Sequence, residues 1–279
     1  MDAQREKSRV GEKGSQAPVG VLDSGLGGLS VLQEIWKQLP SERTIYCADC
    51  EHLPFGPRPM AEVRKLVFAM TEKLLEESAK IIVLACNTAS AAALKELRSA
   101  FPDIPFVGME PAVKVAANGT RQGKLGILAT QATFQGELFE NVVERYARNV
   151  KIYRQACPGL AECIETHSLD HPAIRSLLEK YVRPLLDRGV DEIVLACTHY
   201  PLVKDAIAEM AGPGIEIIDP SPAIARRTAQ IMTERKMLND EGMPEKKFWV
   251  SGNAQRFGQF SREILGQPAV VTGKTFCRL

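Results

Sequence analysis

The sequence predicts an α/β protein of two similar lobes, each a mostly parallel sheet flanked by helices, related by a pseudo-two-fold and facing one another across a cleft. Three observations predict it. Short apolar runs alternate with amphipathic stretches from Val19 onward, as in strands buried on both faces and joined by crossover helices. "IIVLAC" at Ile81 returns as "EIVLAC" at Glu192, and "VGVLDSGLGGLSVLQEIWKQLP" from Val19 aligns at a similar offset with "LGILATQATFQGELFENVVERY" from Leu125. A single repeat this long suits two lobes better than a solenoid unit. Finally, 279 residues, 45% of them hydrophobic, suffice for two cores.

In chain order, residues 1–17 are polar, charged and unpatterned, and read as a mobile extension. The strands expected next are "VGVLD" at Val19, "RTIYCAD" at Arg43, "IIVLAC" at Ile81 and "PFVGM" at Pro105. They are followed by "KLGILAT" at Lys124, "VKIYRQA" at Val150, "EIVLAC" at Glu192, "IEIID" at Ile215 and, near the end, "KFWVSG". Between the second and third strands, "PMAEVRKLVFAMTEKLLEESA" places Val63, Leu66, Met70 and Leu74 on one helical face, with Pro59 at the first helical position. Each half then runs strand, helix, strand, helix, strand-Cys, helix, strand. The first lobe is expected over 18–110 and 221–279 and the second over 111–220.

Composition narrows the function. The formal charge is +1 and the basic residues are scattered, which excludes a clustered field for nucleic acid and favours a small ligand. No apolar run reaches the roughly 20 residues that span a bilayer, and the N-terminus lacks a signal-like apolar centre, so a cytoplasmic protein is expected. Seven cysteines in such a chain read as reduced thiols. Cys47 and Cys50 form a C-x-x-C pair with no second pair to complete a zinc site, so no metal is expected. "GLGG" at Gly25 meets neither nucleotide-loop pattern; its glycines are expected to bring backbone amides close to a small anion.

In open parallel sheets, ligands collect at the carboxyl ends of strands. Asp23, Cys86, Thr130 and Cys197 are all expected there, so facing lobes would present one thiol from each side. Each thiol should also lie near a helix N-terminus, where partial positive charge favours thiolate. A buried structural cysteine is the simpler reading of either position alone, but recurrence in both halves weakens it. Two opposed thiols suit one reaction: one takes a proton from carbon and the other delivers a proton to the opposite face, inverting the centre. Asp23 could serve Cys86 or merely make an Asp-Ser-Gly turn, and His199, two residues after Cys197, could partner that thiol or make a structural hydrogen bond.

"LDSGLGGLSV", "PFGPR", "LACNTAS" and "LACTHYPL", in this order and spacing, make the chain resemble the glutamate racemases, with the resemblance covering nearly everything after the extension. It implies cofactor-independent interconversion of L- and D-glutamate, supplying D-glutamate for peptidoglycan. Cys86 would remove the α-proton of D-glutamate and Cys197 that of L-glutamate. Asp23 would assist the first and His199 the second. Ser24, Asn87, Thr88, Thr130 and Thr198 would hold the substrate, with Phe55 and Gly56 adding contacts. Glu165, in "ACPGLAECIE", would partner His199, with Glu162 the alternative. The family's usual Tyr is here Phe55, which removes a hydroxyl. The resemblance further implies a homodimer and a cell-wall precursor as regulator, with no pyridoxal phosphate or metal. Racemisation of another amino acid such as aspartate, or a non-catalytic protein binding acidic amino acids, would use the same cleft.

Overall fold

A computed structural model describes residues 14–110, 112–239 and 244–277. Most of the extension expected over 1–17, and the boundary residue Pro111, therefore lie outside the described residues.

The chain builds two parallel sheets. The first contains β1 (Val19–Asp23), β2 (Thr44–Asp49), β3 (Ile81–Leu84) and β4 (Phe106–Gly108), joined late in the chain by β9 (Lys246–Ser251) and β10 (Val271–Gly273). Its order is β10-β9-β2-β1-β3-β4. The second contains β5 (Lys124–Ala129), β6 (Lys151–Ala156), β7 (Glu192–Ala196) and β8 (Glu216–Ile218), in the order β6-β5-β7-β8. The run β2-β1-β3-β4 is thus repeated as β6-β5-β7-β8, so the sequence repeat is a repeat of topology.

Alternation explains why the central strands are apolar throughout. In β1, Val19 and Val21 pack with Leu29, Leu32 and Ile35 of α1 (Leu29–Gln38), while Leu22 points oppositely into Val63, Leu66 and Met70 of α2 (Met60–Glu76). Both faces of β7 are covered likewise: Ile193 and Leu195 meet Leu178 and Val182 of a long helix over Pro172–Leu186, and Val194 and Ala196 meet Phe139 and Val142. Each such fully buried aliphatic side chain contributes about 1.5–3 kcal/mol. The expected face of α2 is buried at all four positions. Pro59, however, sits at the N-cap with ψ 137 rather than at the first helical position, and its carbonyl accepts from the amides of Glu62 and Val63.

Two further departures concern edges. β6 is only partly buried, since among the described residues β5 is its sole strand neighbour; its own Arg154 is exposed and pairs with Glu140. β10 was not anticipated: three residues pairing in parallel with β9 leave too short a pattern to read.

Candidate active site

The carboxyl ends of β1, β3, β5 and β7 carry Asp23, Cys86, Thr130 and Cys197 towards the junction of the lobes. A cavity of about 320 Å³ opens there, with Cys86 on one side and Cys197 on the other. Ser24, Phe55, Gly56, Asn87, Thr88, Thr130, Thr198 and His199 also face it. Asp23 and Glu165 do not line it; they stand behind the wall.

Cys86 caps α3 (Asn87–Ala100), its Sγ accepting from the amide of Ala89 at 3.4 Å. The expected lowering of its pKa does not follow. Burial pushes the thiol well up, the charge of Asp23 adds to that, and the amide only partly offsets both. Ser24 Oγ lies 4.0 Å from the sulfur. Asp23 is fully buried, its Oδ1 accepting from the amide of Gly25 at 2.7 Å and its Oδ2 from the hydroxyl of Thr198 at 3.1 Å. Burial pushes its carboxyl up to about 6 against the opposing charge of His199. Asn87 is 2% exposed on the cavity wall, and neither its Oδ1 nor its Nδ2 has a hydrogen-bond partner among the described residues.

Across the cavity, Cys197 does not cap an α-helix as Cys86 does; it is followed by a 3₁₀ turn over Tyr200–Val203 that leads into an α-helix over Lys204–Ala211. Its electrostatic partner is instead His199, whose Nδ1 lies 3.8 Å from Sγ. The other ring nitrogen, Nε2, lies 2.7 Å from Glu165 Oε1, which decides between Glu165 and Glu162 as the contact of this imidazole. The same carboxylate oxygen accepts the amide of Leu26 from the first lobe. Burial disfavours charge on His199, but hydrogen bonds to Cys197 and Glu165, with their charges, hold the imidazolium well above the usual histidine range.

With this geometry in view, the relatives are informative. The family model for Asp/Glu/hydantoin racemases matches residues 19–228. The chain belongs to that family. It is 45% identical to a glutamate racemase of Ectopseudomonas mendocina over 92% of this chain and 98% of that protein. Its structure is similar to that of the glutamate racemase isoform RacE1 from Bacillus anthracis, with a TM-score of 0.88, 33% identity, and 94% and 98% of the two chains covered. It is also similar to the Escherichia coli glutamate racemase solved with L-glutamate and the activator UDP-MurNAc-Ala, with a TM-score of 0.81, 29% identity, and 92% and 97% covered.

In this racemase-family chain the glycines of "GLGG" have a different purpose from the one expected. A Cβ at Gly27 would lie 2.6 Å from His199 Nδ1 and 2.8 Å from the backbone nitrogen of His199, and one at Gly28 would lie 2.7 Å from the Asp23 Cβ. They let the loop press against the opposite lobe and its own carboxylate, rather than approach the cavity. Gly56 similarly brings the Phe55 loop against Thr130, and Thr130 Oγ1 lies 3.0 Å from Thr88 Oγ1, a further contact between the lobes.

Cys157, Gln131, Pro158, Ala161 and Glu162 also face the cavity and were not singled out, except for Glu162 as the alternative to Glu165. Cys157 had a readable signal: it ends "RQAC" after β6, a third Ala-Cys at the carboxyl end of a strand. Burial pushes this thiol up to about 12. Among the described residues no group of three His, Cys, Asp or Glu side chains is arranged to hold a metal ion.

Proposed function

We propose that the protein interconverts L- and D-glutamate by a two-base mechanism without a cofactor. The observation that carries this reading is the pair of thiols that equivalent strands of the two lobes deliver to one cavity. Relatives named glutamate racemases at this identity, and the E. coli structure holding L-glutamate, support the substrate.

In the D-to-L direction Cys86 removes the α-proton and Cys197 supplies one to the opposite face; the roles reverse from L-glutamate. Burial pushes the Cys86 thiol up, so it needs help to ionise. The substrate ammonium lowers the cost of a thiolate beside it. Asp23 takes up proton density on the Cys86 side, and the His199–Glu165 pair balances charge on the Cys197 side. Negative charge developing on the α-carbon and its carboxylate meets a fixed donor, the Asn87 side-chain amide, beside the N-terminus of α3.

The product D-glutamate is proposed to supply peptidoglycan synthesis in the cytoplasm, and the activator in the E. coli structure motivates a response to a cell-wall precursor. No described helix is long and apolar enough to cross a membrane. A homodimer is proposed on the family resemblance and is checked by sedimentation equilibrium.

The test is incubation of reduced protein with either enantiomer of glutamate in deuterium oxide, following optical rotation and the α-proton signal together. Loss of rotation from both enantiomers with α-deuteration is expected. Aspartate turned over in preference to glutamate would reassign the substrate, and binding without exchange would leave only a binding protein.

A further inference from the structure

Behind the cavity wall, one side chain ties the last helix of the first lobe to the helix bearing Glu165. Arg256 lies in the first turn of the helix over Ala254–Leu265, and its Nη2 donates to the carbonyl oxygens of Thr166 at 3.1 Å and Glu165 at 3.4 Å. These carbonyls end the short helix over Leu160–Thr166. Terminal helix carbonyls have no partner in a following turn and carry partial negative charge, so a guanidinium placed there both satisfies and neutralises them. The base of the arginine is itself fixed, because its backbone amide donates to the Asn253 side chain at 2.9 Å.

Thr166 Oγ1 donates at 2.7 Å to an earlier carbonyl of the same helix, that of Glu162, whereas Arg256 reaches the last two carbonyls from the first lobe. A second cavity, of about 230 Å³, adjoins the contact and is bordered by Cys50, Leu53, Glu165, Phe257 and Arg256 itself. Side chains around such a space do not interlock as in a close-packed core, so the helix end has room to move if released. The helix has only seven residues, so any displacement of its end carries Glu165 with it. Glu165 in turn fixes the Nε2 side of His199, whose other nitrogen faces Cys197.

We propose that Arg256 is a positioning residue: by clamping the terminal carbonyls of the Glu165 helix from the opposite lobe, it holds Glu165 against His199 and so keeps His199 facing Cys197. Its kinetic consequence rests on the racemisation proposed above, whereas its structural consequence does not.

The experiment compares wild type, Arg256→Ala, Arg256→Lys, Glu165→Gln and the Arg256→Ala/Glu165→Gln double variant. Loss of a charge-assisted hydrogen bond that acts on the reacting groups predicts a kcat about tenfold lower in Arg256→Ala, with KM moving less and partial recovery in Arg256→Lys. In the Glu165→Gln background, removing Arg256 should cost less than a further twofold, because the coupled element is already lost. Separately, the His199 Nε2–H proton resonance, shifted downfield by its carboxylate partner, should move in Arg256→Ala and stay in place in Arg262→Ala on the same helix. An equal loss of kcat in both backgrounds, or an unmoved His199 resonance in folded Arg256→Ala, would overturn the proposal. If the wild type racemises neither enantiomer, the function proposed above fails, and the resonance alone decides the clamp.

Discussion

Gly27 tests whether the glycine loop exists to let the lobes meet. An alanine Cβ there would lie 2.6 Å from His199 Nδ1, 2.7 Å from Thr198 Oγ1 and 2.8 Å from the His199 backbone nitrogen. Ordinary contact begins near 3.4 Å, so the backbone of the second lobe would have to retreat by about 0.6 Å; a side-chain rotation cannot relieve it. Gly27 does not have a positive φ, so the whole effect is steric. Overpacking of this kind costs about 1–3 kcal/mol. In a chain of this length each kcal/mol lowers Tm by roughly 2–4 °C, so Gly27→Ala should melt about 2–12 °C lower. Because His199 itself is displaced, kcat should fall by about 10- to 100-fold. Thermal unfolding by circular dichroism and racemisation by polarimetry measure both. Gly14→Ala, where a Cβ meets nothing within 4 Å, is the control. A Gly27→Ala protein with wild-type Tm and kcat would refute the reasoning.

Four further variants follow from single observations. Cys86→Ala and Cys197→Ala should each lose racemisation by roughly 10²- to 10⁴-fold with an unchanged circular dichroism spectrum; wild-type turnover in either would sink the two-base mechanism. Asn87→Ala should lower kcat/KM about 10- to 100-fold yet leave stability equal or higher, because the amide it removes is buried without a partner in the protein; a marked fall in chemical-denaturation midpoint would show instead that Asn87 is structural. Glu192 is buried beside Glu216 and Asp191, and burial, followed by those charges, pushes its carboxyl up to about 7 from 4.5. The folded state therefore binds this proton more tightly than the unfolded state, so its contribution to stability falls as pH rises through about 4.5 to 7. Glu192→Gln should flatten that decline in urea midpoints between pH 5 and 8, and an unchanged slope would count against it.

The fold was legible because its signals are local. Val19–Asp23, Ile81–Leu84 and Glu192–Ala196 are apolar at consecutive positions, and only a strand covered on both faces makes that pattern useful. β6 was likewise legible as a strand, and its edge position leaves it only partly buried, with Tyr153 packed on one side and Ile152 and Ala156 on the other. Within the site, residues at strand ends such as Cys86 and Cys197 could be placed from order alone. The pairing of Glu165 with His199 came only from the resemblance, and the contacts of Glu165 with the Leu26 amide and of Arg256 with the Thr166 carbonyl had no signal, since they join segments far apart in the chain through backbone groups that no residue type announces. The helix N-terminus argument failed for Cys86 for a related reason: it counts a local dipole and omits the burial that the other lobe imposes.

Duplication supplied the thiols but not their supports, and this shapes what the enzyme can do. Cys86 has Asp23 and Ser24 near it, whereas Cys197 has an imidazole and a second carboxylate. Each support is completed from the other lobe: Asp23 by Thr198, Glu165 by Leu26 and Thr88 by Thr130. Neither lobe therefore holds a working half-site, and separating them would disable both thiols together. Thermodynamics demands the same outcome from the kinetics. Two enantiomers in achiral solvent are equal in free energy, so kcat/KM must be equal in the two directions for the wild type and for every variant. Damage confined to the His199 side must then slow both directions alike, and its one-sided origin should appear only in how kcat and KM divide between L- and D-glutamate.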